Sequence, residues 1–195
     1  MHHVNRFLVV AVAALLLLAA TRESRPGAET REPTVLFLLR HAEKAAAPPK
    51  DPPLTDTGTA RARALAELLG DAGVTHLFAS EFARTQQTLA PLAEKCGKPV
   101  TVAGAADVAG LAKQLKALPS GSTVVVAGHS NTIPALVRAL GGTLAGTVEG
   151  ATKMAASGEQ LPDDEFGRLI QVIVPPAGSE AAVAVKSLRL QFGAR

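Results

Sequence analysis

The chain has 195 residues, enough for one domain with a full hydrophobic core, and 47% of them are hydrophobic. Its formal net charge of +3 is small, and no Lys/Arg run interleaves with aromatic residues, which argues against a nucleic-acid-binding protein. The single cysteine, Cys96, excludes an internal disulfide framework and a zinc site built on cysteines. Without Trp or Tyr, the core must be built from Ala, Leu and Val.

The N-terminal segment differs from the rest of the chain. An apolar run of 14 residues, from Phe7 to Ala20, follows Arg6 and precedes a polar stretch. This run is short for a membrane span and typical of a signal peptide. We therefore expect residues 1–20 to direct export to the periplasm or the cell exterior. The segment is either cleaved or kept as an anchor, with transient membrane association through residues 7–20.

Residues 21–33 are predicted to form a linker, and residues 34–195 to form the folded domain. In chain order we predict a strand at Val35–Leu39, a helix from the N-cap Thr55 to about Gly70, a strand at Thr75–Ala79, a helix from near Arg84 that kinks or restarts at Pro91, a strand at Val100–Val102, a helix from Asp107 to before Pro119, a strand at Thr123–Ala127, a helix from about Asn131 to Leu140, and strands at Leu169–Val174 and Ala182–Leu190. This alternation predicts an α/β fold, a three-layer α/β/α sandwich with a mostly parallel central sheet.

Arginine and histidine follow three of the predicted strands. Arg40 and His41 follow the first, Arg84 comes after the second, and His129 follows the fourth. Because the carboxyl ends of parallel strands share one edge of the sheet, these four side chains should converge there. Two Arg and two His are suited to bind a dianionic phosphate and to stabilise phosphoryl transfer. The sequence therefore predicts a phosphate site.

Four segments resemble, in order, the motifs of the histidine phosphatase superfamily, the phosphoglycerate-mutase-like proteins. They are residues 39–43 (Leu-Arg-His-Ala-Glu), 54–58 (Leu-Thr-Asp-Thr-Gly), 78–88 (around Arg84) and 126–131 (around His129). The short interval between Arg84 and His129 resembles the compact, phosphohistidine-phosphatase-like branch. The resemblance implies that His41 is phosphorylated during turnover and that Arg40, Arg84 and His129 bind the phosphate. It also implies that Asn131 lies near the substrate, and that no metal or cofactor is needed.

One departure concerns the proton donor. Mutases of the family carry a Glu in a Glu-Arg-x-x-Gly context, and residues 102–108 contain no such motif. Asp107 and Glu43 are the candidate donors, although Asp107 also suits a helix N-cap and Glu43 also suits a role in orienting Arg40. The acidic stretch at residues 163–165 is most simply a solvated loop.

The sequence thus predicts a metal-independent phosphatase that hydrolyses phosphomonoesters, or phosphohistidine, through a phosphohistidine on His41. Its expected partner is a small phosphorylated substrate. The alternative is an exported phosphate- or polyanion-binding protein with little or no turnover, which the missing acid favours.

Overall fold

A six-stranded sheet is the centre of this protein, seen in a computed structural model that describes residues 32–144, 153–155 and 158–189. The expected export segment, residues 1–20, and nearly all of the expected linker, residues 21–33, lie outside the described residues. Among the described residues, no helix combines the length and the apolar character needed to cross a membrane.

The helices and strands follow the predicted order closely. They are β1 (Thr34–Arg40), α1 (Asp56–Leu69), β2 (His76–Ala79), α2 (Ala83–Cys96), β3 (Val100–Val102), α3 (Val108–Lys116), β4 (Thr123–Gly128), α4 (Thr132–Leu140), β5 (Lys153–Ala155), β6 (Gly158–Gln160), β7 (Arg168–Val174) and β8 (Ala184–Arg189). The two-stranded sheet of β5 and β6 was not predicted, because its segments, Lys-Met-Ala and Gly-Glu-Gln, lack the β-branched residues that marked the predicted strands.

The sheet has the strand order β3-β2-β4-β1-β7-β8. Strands β1, β2, β3 and β4 pair in parallel, whereas β7 and β8 pair antiparallel. The prediction of a mostly parallel sheet is confirmed. Because β1 lies beside β4, and β4 beside β2, the carboxyl ends of these three strands are neighbours.

Helices cover both faces of the sheet. On one face Leu39 and Val125 pack with Leu65 of α1 and Leu89 of α2. On the other face, residues alternate to the opposite side of the same strands, and α3 and α4 supply the covering side chains, among them Leu115 and Leu136. The predicted three-layer α/β/α sandwich is confirmed.

Helix α2 continues through Pro91, so the predicted restart is wrong, whereas the predicted kink stays a prediction. Proline removes the amide that would bond the carbonyl of Gln87 one turn earlier. Gln87 is exposed, so water can satisfy that carbonyl. Leu89 and Leu92, both buried on the same helix, hold the two halves against the sheet.

The start of α1 packs directly on the loop that follows β1. Thr55 caps the helix, since its hydroxyl accepts a hydrogen bond from the Gly58 amide at 3.1 Å. The Thr55 amide donates to the Glu43 carbonyl at 2.9 Å. A Cβ on Gly58 would overlap that same carbonyl. The glycine at this position therefore lets the helix approach the backbone next to His41.

We predict that Gly58→Ala destabilises the protein by about 1–3 kcal/mol, because the new methyl forces the helix away from the Glu43 carbonyl. At an open helix position the same change would stabilise by up to about 1 kcal/mol, so the sign is diagnostic. Urea unfolding measures the difference. Gly104→Ala is the matched control, since a Cβ there meets nothing within 4 Å. A Gly58→Ala protein as stable as the wild type would contradict the prediction.

Candidate active site

The four residues predicted to converge do lie around one cleft. Arg40 ends β1, His41 follows it, and His129 follows β4, while Arg84 lies in the first turn of α2. The His41 amide donates to the Gly128 carbonyl at 2.9 Å, which fixes the two strand ends relative to each other. The cleft is open and has a volume of about 480 Å³. Its lining comprises Arg40, His41, Lys44, Phe82, Arg84, Ala105, Ala106, His129, Ser130, Asn131 and Thr132.

His41 is held with one defined ring nitrogen available for chemistry. Its side chain is buried, and Nδ1 lies 2.7 Å from the carbonyl oxygen of Ala42. Because a carbonyl only accepts hydrogen bonds, Nδ1 carries the hydrogen and Nε2 of the neutral ring has a free lone pair. Burial, followed by the charge of Arg40, lowers the pKa of His41 to about 4, although the bond to Ala42 acts in the opposite direction. His41 is therefore neutral at pH 7.

The second histidine lies beside the first. The ring centroids of His129 and His41 are 5.5 Å apart, with the planes at 65°. Nε2 of His129 is 2.9 Å from the Ser80 hydroxyl, and Nδ1 is 3.5 Å from Nη2 of Arg84. Burial and then Arg84 lower the pKa of His129 to about 4, against the opposing charge of Glu81.

Arg40 is fixed by the segment that precedes β7. Its Nη1 donates to the carbonyls of Pro162 at 3.0 Å and Asp163 at 2.8 Å, and its guanidinium lies 4.5 Å from the ring centroid of Phe166. Its Nε is buried and has no hydrogen-bond partner among the described residues.

Arg84 is fixed in a similar way on the other side. Its guanidinium lies 4.3 Å from the ring centroid of Phe82, and Nη1 is 3.6 Å from a carboxylate oxygen of Asp51. The same carboxylate accepts from the Ala83 amide at the start of α2. Nε of Arg84 is also buried without a partner in the described part of the chain. A buried donor left unpaired costs about 1–3 kcal/mol, so an oxyanion is the ligand that suits both guanidiniums.

Asp163 and Asp164 are exposed, as expected for a solvated loop, but Glu165 is partly buried and paired. The Glu165 carboxylate makes hydrogen bonds of 2.6–2.9 Å to Arg168, whose side chain is 1% exposed. This pair holds the turn that places Phe166 6.2 Å from the His41 ring. Sequence reasoning missed this contribution because it arises from pairing: β7 runs antiparallel beside β1, so its first residues lie next to Arg40.

The two candidate proton donors are engaged elsewhere. Glu43 accepts hydrogen bonds of 2.6–3.0 Å from Arg61 rather than orienting Arg40. Burial raises the pKa of Glu43, but the hydrogen bonds from Arg61, a backbone hydrogen bond and the charges of Arg61 and Arg40 together outweigh it, so the net pKa is lowered. Asp107 caps α3, accepting from the Gly110 amide at 2.9 Å. Neither carboxylate lines the cleft, so the structure argues against both as donors.

Lys44 is a lining residue that sequence reasoning did not single out. Its backbone forms a bridge with Leu54, and the neighbouring Ala45 amide donates to the Pro53 carbonyl at 2.8 Å, so the base of the loop is fixed. Lys44 directly follows Glu43, the last residue of the first motif, and this position could have marked it as a residue of the site. Lys44 adds a third positive charge beside Arg40 and Arg84. The cleft wall contains no Asp or Glu among the described residues.

The possibility of a metal centre was also considered. Within residues 32–144, 153–155 and 158–189, no group of three or more His, Cys, Asp or Glu side chains could hold a metal ion.

Comparison with known proteins agrees with this geometry. The model of the histidine phosphatase superfamily (branch 1) matches residues 36–107, which include Arg40, His41 and Arg84. The resemblance to the histidine phosphatase superfamily is confirmed. The chain is 40% identical over 68 residues to the probable phosphoglycerate mutase GpmB of Enterobacter sp. (strain 638), and 34% identical over 68 residues to that of Yersinia pestis (strain Pestoides F). It spans about a third of the length of these curated relatives, since each match covers 32% of the relative.

Solved histidine phosphatase structures share the fold. The protein histidine phosphatase SixA complexed with tungstate superposes with a TM-score of 0.55 and 21% identity, covering 78% of this chain and 96% of SixA. A mycobacterial glucosyl-3-phosphoglycerate phosphatase gives a TM-score of 0.56 with 16% identity, covering 82% of this chain and 100% of that one. At these identities the likeness shows the fold alone. The proteins matched here include both phosphatases and a probable mutase, so the comparisons do not choose between the two reactions.

We predict that Arg84→Met raises the pKa of both cleft histidines, and raises that of His129 more than that of His41. Among the neighbouring charges, that of Arg84 has the largest effect on the pKa of His129 and the smallest effect on the pKa of His41. Histidine ¹H–¹⁵N titration without phosphate measures both values, which should lie near 4 in the wild type. Arg63→Met, at an exposed position outside the cleft, is the control and should change neither. An unchanged His129 titration in Arg84→Met would contradict the prediction.

Proposed function

We propose that this protein is a metal-independent phosphatase that works through a phosphohistidine on His41. The observation that carries the proposal is the state of His41: a neutral ring whose Nδ1 is engaged by the Ala42 carbonyl, with Nε2 free, in a cleft lined by two arginines. A nucleophilic histidine needs that combination of a free lone pair and nearby positive donors. The substrate class is phosphomonoesters or phosphohistidine.

The reaction has two displacements at phosphorus. In the first, His41 Nε2 attacks the phosphorus, the N–P bond forms, and the bond from phosphorus to the leaving group breaks with its electron pair. In the second, water attacks the phosphohistidine, the N–P bond breaks, and inorganic phosphate is released. Arg40, Arg84 and His129 would surround the group being transferred. The fixed guanidinium N–H donors would stabilise its equatorial oxygens, and His129 would add a donor once its ring is protonated. Asn131, on the rim of the cleft, would contact the part of the substrate beyond the phosphate.

Hydrolysis is favoured over a mutase reaction because no Asp or Glu lines the cleft in the part of the chain that the structure describes. Glu43 and Asp107 are both occupied as hydrogen-bond acceptors outside the cleft. Leaving groups that need no carboxylic acid from the cleft wall are then the best substrates. An aryl oxide departs as a stable anion, and a phosphoramidate nitrogen is basic enough to be protonated from solvent before it leaves. The openness of the cleft is also compatible with substrates of different shapes.

Export is a separate part of the proposal and depends on the apolar run Phe7–Ala20. A protein carried by this segment to the periplasm or cell exterior would act on small phosphorylated molecules there. A phosphate- or polyanion-binding protein is the second candidate, because the same lack of a lining acid would suit binding without turnover.

We expect the full chain to hydrolyse p-nitrophenyl phosphate in the presence of a chelator, and His41→Ala to lose at least about 10³-fold of that activity. A radiolabelled phosphoenzyme, stable in base and labile in acid, should form in the wild type alone. The neutral ring of His41 is the reactive form, and its pKa is about 4. Activity should therefore be unaffected by His41 down to about pH 5 and should be lost as the ring becomes protonated near pH 4. His76→Ala is the control, since His76 lies outside the cleft lining.

The alternatives give different results in that experiment. Phosphate binding without turnover and without a phosphoenzyme would favour the binding protein. Activity that the chelator removes would contradict the metal-independent mechanism, and activity retained in His41→Ala would contradict the assigned nucleophile.

Lys44 should contribute to the affinity of the cleft for anions. We predict that Lys44→Gln weakens the binding of inorganic phosphate about threefold to tenfold at low salt, because it removes one partly solvated charge. Calorimetry measures the dissociation constant, and the effect should shrink at high ionic strength. Lys50→Gln is the matched control, since Lys50 is exposed and lies outside the cleft lining. Equal effects of the two substitutions would show that only the net charge matters.

A further inference from the structure

Two buried hydroxyl groups lie behind His129, and the reaction described above does not use them. Ser80 Oγ is 2.9 Å from Nε2 of His129 and 2.8 Å from Thr85 Oγ1. Ser80 is 6% exposed and Thr85 is fully buried. Ser80 directly follows β2, and Thr85 lies in the first turn of α2. The side chains of Thr85, Ser80 and His129 thus form a row of hydrogen bonds. A hydroxyl has only one proton to donate, so the direction of each hydrogen bond in this row can be deduced.

The deduction starts from Thr85. Its hydroxyl lies 2.7 Å from the Phe82 carbonyl and 3.1 Å from the Ser80 carbonyl. Carbonyls cannot donate, so the Thr85 proton goes to a carbonyl and Thr85 Oγ1 accepts from the Ser80 hydroxyl. The only proton of Ser80 is then used. Ser80 Oγ must accept from His129, which requires a hydrogen on Nε2 of that ring.

The opposite side of the imidazole leads to the same tautomer independently. Nη2 of Arg84 lies 3.5 Å from Nδ1 of His129. A guanidinium has hydrogens to donate and no lone pair to accept with. Nδ1 therefore faces Arg84 with its lone pair, and the ring hydrogen is on Nε2. If the row ran in the other direction, Nδ1–H would point at the guanidinium N–H groups.

We propose that Ser80 and Thr85 are positioning residues that hold His129 as its Nε2–H tautomer, so that Nδ1 is the nitrogen that exchanges a proton with the substrate. A phosphomonoester monoanion brings one acidic P–O–H group. When the substrate binds, a phosphate oxygen replaces Nδ1 as the acceptor of the Arg84 Nη2 hydrogen. The P–O–H proton then moves to Nδ1, which leaves a phosphate dianion and an imidazolium, and the new Nδ1–H donates to the phosphate instead of facing the guanidinium. The hydrogen on Nε2 remains donated to Ser80 Oγ throughout, and the ring does not rotate. The catalytic consequence rests on the proposed phosphatase function; the tautomer does not.

The test begins with the tautomer of His129 in the full chain without phosphate. Long-range ¹H–¹⁵N spectra of ¹⁵N-histidine-labelled protein at pH 7 distinguish Nε2–H from Nδ1–H, and the wild type should show Nε2–H. Thr85→Val keeps the side-chain shape and removes the acceptor, so the Ser80 proton turns to His129 Nε2 and the population shifts towards Nδ1–H. Thr85→Ser keeps the hydroxyl and should match the wild type.

Kinetics on p-nitrophenyl phosphate supply the second readout. Thr85→Val and Ser80→Ala should lower kcat roughly 10- to 100-fold, the cost of losing a hydrogen bond that supports a charged ring, with KM changed less than about threefold. Thr85→Ser should restore kcat to nearly the wild-type value. A merely structural role would instead show as a loss of folded protein in thermal unfolding, without a change of tautomer.

Either of two results would overturn the inference: a wild-type His129 with Nδ1–H, or a folded Thr85→Val protein that keeps both the Nε2–H tautomer and full kcat. If Thr85→Val does not fold, Ser80→Ala decides by the same criteria, since it removes the acceptor of Nε2–H directly. A chain that shows no phosphatase activity would disprove the proposed function, and the spectra would still test the tautomer.

Discussion

The hydrogen bond from the His41 amide to the Gly128 carbonyl extends the parallel pairing of β1 and β4 by one residue beyond the end of β1. Because of this bond, His41 and His129 start from backbone positions fixed in the buried centre of the sheet, where hydrogen bonding on both sides restricts movement. The neighbouring β2 then brings the start of α2, and with it Arg84, to the same edge. The cleft geometry depends on the register of these three strands more than on any contact within the cleft.

At this edge of the sheet, two arginines and two histidines lie close enough to influence one another's protonation. Two guanidiniums remain cationic, and their presence together with burial keeps both imidazoles neutral. Each guanidinium rests against an aromatic ring, Arg40 against Phe166 and Arg84 against Phe82. The rings fix the guanidinium planes without adding negative charge that would compete with phosphate. A neutral nucleophile between fixed cations is the electrostatic state that phosphoryl transfer requires.

The residues that support this site come from distant parts of the chain. Asp51 caps α2 and approaches Arg84, and the pair of Glu165 and Arg168 holds the turn that carries Phe166. These carboxylates act through structure, since neither lines the cleft. These two acids thus stabilise the walls of the cleft and leave its described lining without negative charge. In the proposed reaction the substrate proton moves to His129, which gives the hydroxyls of Ser80 and Thr85 behind that ring their role.

The sequence by itself determined the fold class and the order along the chain of the strands that site residues follow. It also determined the convergence of Arg40, His41, Arg84 and His129. These follow from apolar runs with polar residues at their carboxyl ends, a pattern that local reasoning can read. Only the tertiary structure decided that Glu43 pairs with Arg61, that Asp107 caps a helix instead of reaching the cleft, and that residues 161–167 form part of the site. The physical reason is that a carboxylate binds whichever donors the packed backbone brings within about 3 Å, and antiparallel pairing of β7 with β1 is a long-range contact with no local signature.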